Sequence, residues 1–486
     1  MVSFDFIRVG RMSWFAVLLF LFFGCLCYVT FGVVASFLVL RLIFSGKKPR
    51  TQTIGFFHPY CNDGGGGERV LWMMVAGIQQ KYPNYQCIIY SGDTDASAAQ
   101  ILEKVRNRFN IHLNEDNVKF CFLFTRKWLE AQRYPVFTMV GQSLGSIIVT
   151  FEALGLCTPH LFIDSMGYSY SLWIARLLGK CKVAAYVHYP TISTDMLSKV
   201  QTGTKSYNNK GSIAKSPLLR FGKVLYYRLF AFVYGIAGRA CSLVFVNSSW
   251  TRSHIDSLWK MPQKTKILYP PCNTSHLSSL PLENREQGTI ISIAQFRPEK
   301  DHALQIKAFA KLRNENSGVQ QGRLVLIGSC RHQKDRDIVD SLQSLAEELG
   351  VNDSVDFKVN VTYEELLEWY GKAQYGIHTM WCEHFGIGIV ELMASGVIVV
   401  AHNSGGPKMD IVKEHNGQRT GFLASTEEEY ASELYQMFSL SQNEQTQIQE
   451  AARERTKLFS DETFKENFIT EISPIIDSLE PHMKIQ

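Results

Sequence analysis

Along this chain, apolar positions come in two alternating rhythms. From residue 51 onward, short runs rich in β-branched and aromatic side chains recur at 54–58, 85–91, 118–124, 161–164, 183–189 and 243–247, with stretches of helical spacing between them. Strand-then-helix alternation predicts parallel strands joined by right-handed crossovers. A turn-rich stretch from Pro270 and Pro271 to Pro281 interrupts the rhythm, which restarts with runs at 289–294, 324–328, 355–359, 375–380 and 397–402. The pattern predicts an α/β protein with two Rossmann-like domains facing a cleft, over 51–280 and 281–459. The 460–486 segment is then a crossover helix and tail, opened by Ser460 as cap with Glu462 in its first turn. In open α/β sheets, ligands sit beyond the carboxyl ends of the strands, so the residues just after each run are the informative ones.

The first 50 residues follow neither rhythm. Residues 14–40 carry no charge, and at about 1.5 Å per residue this run spans roughly 40 Å, enough to cross a bilayer with tilt. It predicts a transmembrane helix; a cleaved signal has an apolar core of only about 7–15 residues and a small-residue cleavage site, which the run lacks. Arg41, Lys47, Lys48 and Arg50 on one flank outweigh Arg8 and Arg11 on the other, placing the C-terminal side in the cytosol and the N-terminus in the lumen. The eleven cysteines are odd in number and lack CxxC spacing, so they indicate neither a disulfide framework nor a zinc site. On this topology the sequons at Asn247, Asn273, Asn352 and Asn360 stay bare.

Composition narrows the class. With 46% hydrophobic and 20% charged residues, 35 Gly and 15 Pro in 486 residues, the chain is neither collagen-like nor disordered. The net charge of +5 hides an asymmetry: residues 51–280 hold 24 basic and 12 acidic groups, residues 281–486 hold 20 and 32. That division argues against a nucleic-acid binder and for a basic half facing anionic lipid or a phosphate-bearing substrate. Nine Lys/Arg and no acid lie between Met196 and Ile255. Within that stretch, 201–217 is polar and expected to be a mobile loop. The 218–237 segment is either a helix lying on an anionic membrane or a buried helix with snorkelling basic residues.

Four motifs can carry chemistry. After the first strand, Gly64, Gly65, Gly66 and Gly67 precede a helix beginning near Glu68, letting backbone N–H groups approach an anion. The loop is neither a GxGxxG fingerprint nor a GK[ST] phosphate loop. In the second domain Glu383 and Glu391 bracket HFGIGIV; on a continuous helix they would lie about 12 Å apart axially. That exceeds the roughly 5 to 5.5 Å of a retaining hydrolase pair, so they serve different parts of one ligand. Ser404, Gly405 and Gly406 form a turn opening the next helix, and Arg297 and Lys300 flank a Pro-Glu turn, both placed to meet phosphates. Asp93-Thr94-Asp95 and Asp335-Arg336-Asp337 mimic a metal-binding DxD, a pattern that arises easily by chance.

These strings resemble a family. The spaced glutamates, the SGGP turn, the PEK turn and the early glycine loop look like the retaining GT-B glycosyltransferases that include sucrose synthases and phosphatidylinositol mannosyltransferases. HPYCNDGGGGERVLW, VHYPTISTDM, AQFRPEKDH and MWCEHFGIGIVELMASG look more closely like the dolichol-pathway GDP-mannose-dependent α-1,2-mannosyltransferases. The resemblance covers about residues 54–475. It implies GDP-mannose as donor and a dolichol-diphosphate trimannosyl oligosaccharide as acceptor on the cytosolic face of the ER membrane. It also implies retention without a metal or other cofactor, and other mannosyltransferases of the pathway as possible partners. By resemblance Glu383 contacts the transferred mannose, Glu391 the ribose and Lys300 the diphosphate. His188 points at the donor sugar, Gly386 and Ile387 line the donor site, and Gly64–Gly67 line its junction with the acceptor. Gln295 stands where the family usually has a diphosphate arginine, with Arg297 two residues later as its candidate replacement. A nicotinamide oxidoreductase lacks its fingerprint here. An inactive membrane scaffold, another step of the same pathway, or a different nucleotide sugar are the remaining alternatives.

Overall fold

A computed structural model of the chain describes residues 5–49, 51–193, 196, 217–316, 318 and 321–479. Of the expected 201–217 loop, all but Pro217 lies outside the described residues, as does the tail from 480 to 486.

The first sheet is built from β1 (Thr53–Phe57), β2 (Gln86–Ser91), β3 (Val118–Phe122), β4 (Leu161–Asp164), β5 (Lys182–Val187), β6 (Leu243–Val246) and β7 (Thr265–Ile267). All are parallel, in the order β3-β2-β1-β4-β5-β6-β7. The second holds β8 (Glu286–Ile293), β9 (Arg323–Gly328), β10 (Val355–Val359), β11 (Ala373–His378), β12 (Ile398–His402) and β13 (Phe422–Ala424), in the order β10-β9-β8-β11-β12-β13. β1, β4, β6, β11 and β12 are buried at every position, which is why they read as apolar runs rather than alternations. In each sheet the chain runs outward to one edge and then returns to the other side of its first strand. This leaves a switch point between β1 and β4 and another between β8 and β11. Register at the first, Phe57 opposite Asp164, brings His58 and Ser165 side by side.

The crossovers are α2 (Gly66–Lys81), α3 (Ala98–Phe109), α4 (Thr138–Leu156), α5 (Ser169–Leu177), α6 (Pro217–Gly238) and α7 (Ser249–Trp259) in the first domain. The second domain has α8 (His302–Glu315), α9 (Gln333–Glu348), α10 (Tyr363–Lys372), α11 (Ile387–Ser395), α12 (Glu427–Phe438) and α13 (Gln442–Thr456). The last helix, α14 (Asp461–Asp477), starts where Ser460 Oγ accepts from Thr463 N–H. Its face of Phe464, Phe468, Ile472 and Ile476 is buried in the core of the first sheet, with Phe468 5.5 Å from Phe245 between ring centroids. Asp461 pairs with Arg69 of α2, so the chain ends clasped to the domain it began with.

α1 (Asp5–Ser45) is one continuous apolar helix. Its described side chains are largely exposed until its last turns, where Phe44 is buried and meets Phe151 of α4 at 5.7 Å. Beyond it Lys47 donates to Gly155 O and Lys48 to Lys180 O. Within α1 (28–45), and again in α4, there is a helix long and apolar enough to cross a membrane. α4, however, connects parallel strands of one sheet and buries Val149, Ala153 and Leu154 against it, so its apolar length comes from packing on the sheet. In α6, Tyr227, Phe230 and Tyr234 are buried, as the buried-helix reading expects, while Phe221, Leu225, Leu229 and Phe232 form an uncovered stripe. No disulfide joins the cysteines whose side chains are described.

Candidate active site

The site is assembled at the carboxyl ends of the strands, where two turns of the second domain interlock. β11 ends in His378, and the following loop carries Glu383 to the start of α11, where Gly386 adopts φ +117° as N-cap. β12 ends in His402, followed by Ser404, Gly405 and Gly406. Gly406 N–H donates to Glu383 O at 2.8 Å, and Ser404 Oγ accepts from Cys382 N–H at 2.8 Å while lying 2.9 Å from His402 Nδ1. A β-carbon on Gly406 would lie 2.6 Å from Phe385 Cα and 2.9 Å from His384 O, so only glycine lets the turns approach this closely. The SGGP turn thus braces the glutamate loop.

Glu383 is held by two nitrogen groups of its own domain. Lys300 Nζ lies 2.5 Å and His378 Nε2 3.3 Å from its Oε2. Burial alone would raise the carboxyl's pKa, but the His378 hydrogen bond and the Lys300 charge outweigh it and hold Glu383 well below the usual carboxylate range. Glu391, on α11, accepts from Tyr370 O–H at 3.0 Å, and burial raises its pKa despite that bond and the nearby Arg69 and Arg108. Arg297 is exposed at the PEK turn, and its charge helps to lower the pKa of Asp335.

Across the cleft, the glycine loop and His188 meet this unit. Gly64 has φ +83°, and Gly65 N–H donates to Glu68 Oε2 at 2.5 Å, closing the loop onto the first turn of α2. A β-carbon on Gly66 would lie 2.8 Å from Ile387 Cδ1, and one on Gly67 would lie 3.7 Å from the His188 ring. Gly66 and Gly67 therefore form the junction between His188 in one domain and the start of α11 in the other. His188 Nε2 lies 3.1 Å from Ser165 O, which can only accept, so that nitrogen carries the hydrogen. Burial, reinforced by His58, brings the His188 pKa down to about 4, leaving the ring neutral at pH 7.

Sequence reasoning missed the residues that orient these groups. His58 Nδ1 lies 2.8 Å from Ser165 Oγ and its Nε2 3.5 Å from Glu68 Oε1, linking the glycine loop to the carbonyl that orients His188. Asp164 accepts from Met166 N–H, Gly167 N–H and Ser171 O–H, shaping the same turn. His58, Asp164, His378 and His402 all stand at or just after strand ends, the signal that could have found them. The two DxD stretches have other work. Asp93 accepts from Asn62 N–H at 3.0 Å and pairs with Arg126, bracing the glycine loop. Asp335 accepts from Arg331 and His332 N–H at the start of α9.

Beside His188 opens a cavity of about 1000 Å³. Most of its wall comes from α4, α5 with the turn that precedes it, and the loop after β5, and the second domain closes it with residues that include Glu299, Trp381 and His384. The His384 ring is layered between Tyr189, at 5.0 Å and 17°, and Trp250, at 5.2 Å and 29°. Asp410 adds a polar latch between domains, accepting from Ser249 N–H at 2.9 Å, Ser249 O–H at 2.6 Å and Tyr269 O–H at 3.0 Å.

Two parallel-sheet domains facing one cleft, with a glutamate–lysine pair on one lip and a glycine loop and neutral histidine on the other, define a GT-B glycosyltransferase. Solved structures agree on the fold. Anabaena HepE in complex with UDP and glucose matches with a TM-score of 0.57 at 17% identity, covering 87% of this chain and 100% of that one. Sucrose-phosphate synthase from Thermosynechococcus elongatus matches with a TM-score of 0.61 at 16% identity, over 88% and 100%. Residues 51–259 match the family described as ALG11 mannosyltransferase N-terminus, and residues 279–455 match glycosyl transferases group 1. The GDP-Man:Man(3)GlcNAc(2)-PP-Dol alpha-1,2-mannosyltransferase of Mus musculus is 47% identical over 92% of this chain and 94% of its own length, and that of Homo sapiens 46% over 93% and 93%. The chain belongs to this mannosyltransferase family.

Proposed function

We propose that this chain transfers mannose from GDP-mannose to a trimannosyl, dolichol-diphosphate-linked oligosaccharide, forming α-1,2 linkages that add the fourth and fifth mannoses. The observation that carries the reading is the Glu383–Lys300 pair at the seam where Gly66 meets Ile387, in a chain 47% identical to the mouse enzyme. In this reading the second domain holds the donor. Glu383 accepts from mannose hydroxyls, Glu391 from the ribose, and Lys300 faces the diphosphate. The free N–H groups at the start of α11 favour negative charge nearby. Arg297, Ser404, Gly405 and Gly406 complete the rim, and Gly64–Gly67 with the cavity beside His188 receive the acceptor.

Transfer with retention needs no protein nucleophile. The acceptor oxygen bonds to C1 on the face from which GDP departs, the C1–O bond to phosphate breaks, and the leaving phosphate oxygen takes the acceptor's proton. Lys300 stabilises the charge that builds on that oxygen. Neutral His188, with its hydrogen committed to Ser165 O, presents a lone pair on Nδ1 to a sugar hydroxyl and withholds positive charge from the developing oxocarbenium ion.

The same reading places the chain in the ER membrane by α1, with both domains cytosolic. Phe44, Lys47 and Lys48 dock the end of α1 onto the first domain, and the uncovered stripe of α6 supports a second contact with the bilayer. The test compares GDP-mannose, UDP-glucose and UDP-N-acetylglucosamine as donors to a trimannosyl-chitobiosyl-diphospholipid in EDTA. Transfer from GDP-mannose alone is expected; preference for a uridine donor, or a requirement for added Mn²⁺, refutes the proposal.

A further inference from the structure

We propose that Tyr189 is the platform on which the terminal mannose of the acceptor glycan stacks, and that His384 and Trp250 hold that platform in place. The inference rests on the mannosyltransferase reading and names where its acceptor sits. His384 stacks with both other rings, and all three line the cavity, but Trp250 is 8% exposed while Tyr189 is 57% exposed. Tyr189 lines the cavity together with its neighbour His188. At about 1000 Å³ that cavity reaches the top of the roughly 300–1,000 Å³ range that encloses drug-sized ligands, room for more than one sugar ring. Its wall mixes aromatic faces, Tyr168, Tyr170 and Tyr227, with the hydroxyls and amide of Ser143, Ser193 and Gln142. Such a surface fits a pyranose, whose C–H face is apolar and whose edge carries hydroxyls.

The stack also ties the platform to the reaction. Tyr189 follows His188 in the first domain and His384 follows Glu383 in the second, so stacking of these two rings requires the glutamate loop to be seated against the first domain. Acceptor mannose resting on Tyr189 is thereby presented to the donor only when the domains are closed. Tyr189 is an acceptor-binding residue; His384 and Trp250 are positioning residues.

The experiment uses the full-length chain in detergent, GDP-mannose, and a trimannosyl-chitobiosyl-diphospholipid. It compares wild type with Tyr189→Ala, Tyr189→Leu, Tyr189→Trp, His384→Ala and His384→Phe. Tyr189→Ala and Tyr189→Leu should raise the acceptor KM at least ten-fold and leave the GDP-mannose Kd, measured without acceptor, within two-fold; Tyr189→Trp should stay within three-fold of wild type. His384→Ala should raise the acceptor KM and lower kcat, and His384→Phe, which keeps a planar ring, should restore most of both. An acceptor KM within two-fold of wild type in both Tyr189→Ala and Tyr189→Leu overturns the inference, as does an equal loss of donor affinity. A wild-type chain that transfers nothing overturns the mannosyltransferase reading instead.

Discussion

Gly406→Ala should separate the interlocked turns without touching a candidate catalytic side chain. The native backbone at Gly406 is right-handed helical, so alanine meets no conformational strain there. The obstacle is proximity: the new methyl would sit 2.6 Å from Phe385 Cα and 2.9 Å from His384 O, against backbone that cannot rotate away. Ordinary van der Waals separation requires the Glu383–Phe385 loop to retreat by about 1 Å, and displacements of that size cost about 10²-fold in rate. Overpacking of this kind also costs about 1–3 kcal/mol of stability. The assay is mannosyl transfer at saturating acceptor, with thermal unfolding followed in parallel. Gly371→Ala in α10 is the control, because a β-carbon there meets nothing within 4 Å. It should leave activity unchanged and stability unchanged or raised by up to about 1 kcal/mol. A Gly406→Ala enzyme within three-fold of wild-type kcat/KM would refute the argument that this turn positions Glu383.

Lys300→Met should lower kcat about 10²–10³-fold, the usual loss when one transition-state charge partner is removed, and move the acidic limb of the pH–rate profile upward as Glu383 loses a charge that depresses its pKa; an unmoved limb would contradict the pairing. His302 is buried against Phe296 with both ring nitrogens unpartnered, and burial brings its pKa down to about 4 from the 6.5 of a free ring. The unfolded chain therefore binds this proton first, and the associated stability, full above pH 6.5, falls by about 2 kcal/mol on going from pH 7 to pH 5. Thermal unfolding of His302→Leu should show a correspondingly smaller loss between those pH values. Asp410→Ala strands Ser249 and Tyr269 donors at the domain seam and should cost about 2–3 kcal/mol in unfolding measurements.

What the sequence reveals and what it hides follow from the range of the interactions involved. Fully buried strands such as β4 and β12 announce themselves as apolar runs, and the Ser460 cap is a local hydrogen bond, so both are legible from short windows. β7 and β13 escape because each has three residues at a sheet edge, too few to set a period. The spacing of Glu383 and Glu391 assigns them different environments, and the structure shows one paired with Lys300 and the other with Tyr370. The layering of Tyr189, Trp250 and His384 joins positions far apart in the chain and exists only once both domains are folded, so no local pattern encodes it. α6 was ambiguous for a physical reason: both of its faces are apolar, and which one is covered depends on tertiary contacts.

The most direct test of the account follows transfer by the purified wild-type chain and by Glu383→Ala, using labelled GDP-mannose and the trimannosyl lipid acceptor in EDTA, with the product digested by an α-1,2-specific mannosidase. The account predicts a wild-type product extended by two labelled mannoses, both released by the mannosidase, and no extension by a folded Glu383→Ala enzyme. Mannosidase-resistant label, or undiminished transfer by Glu383→Ala, would contradict it.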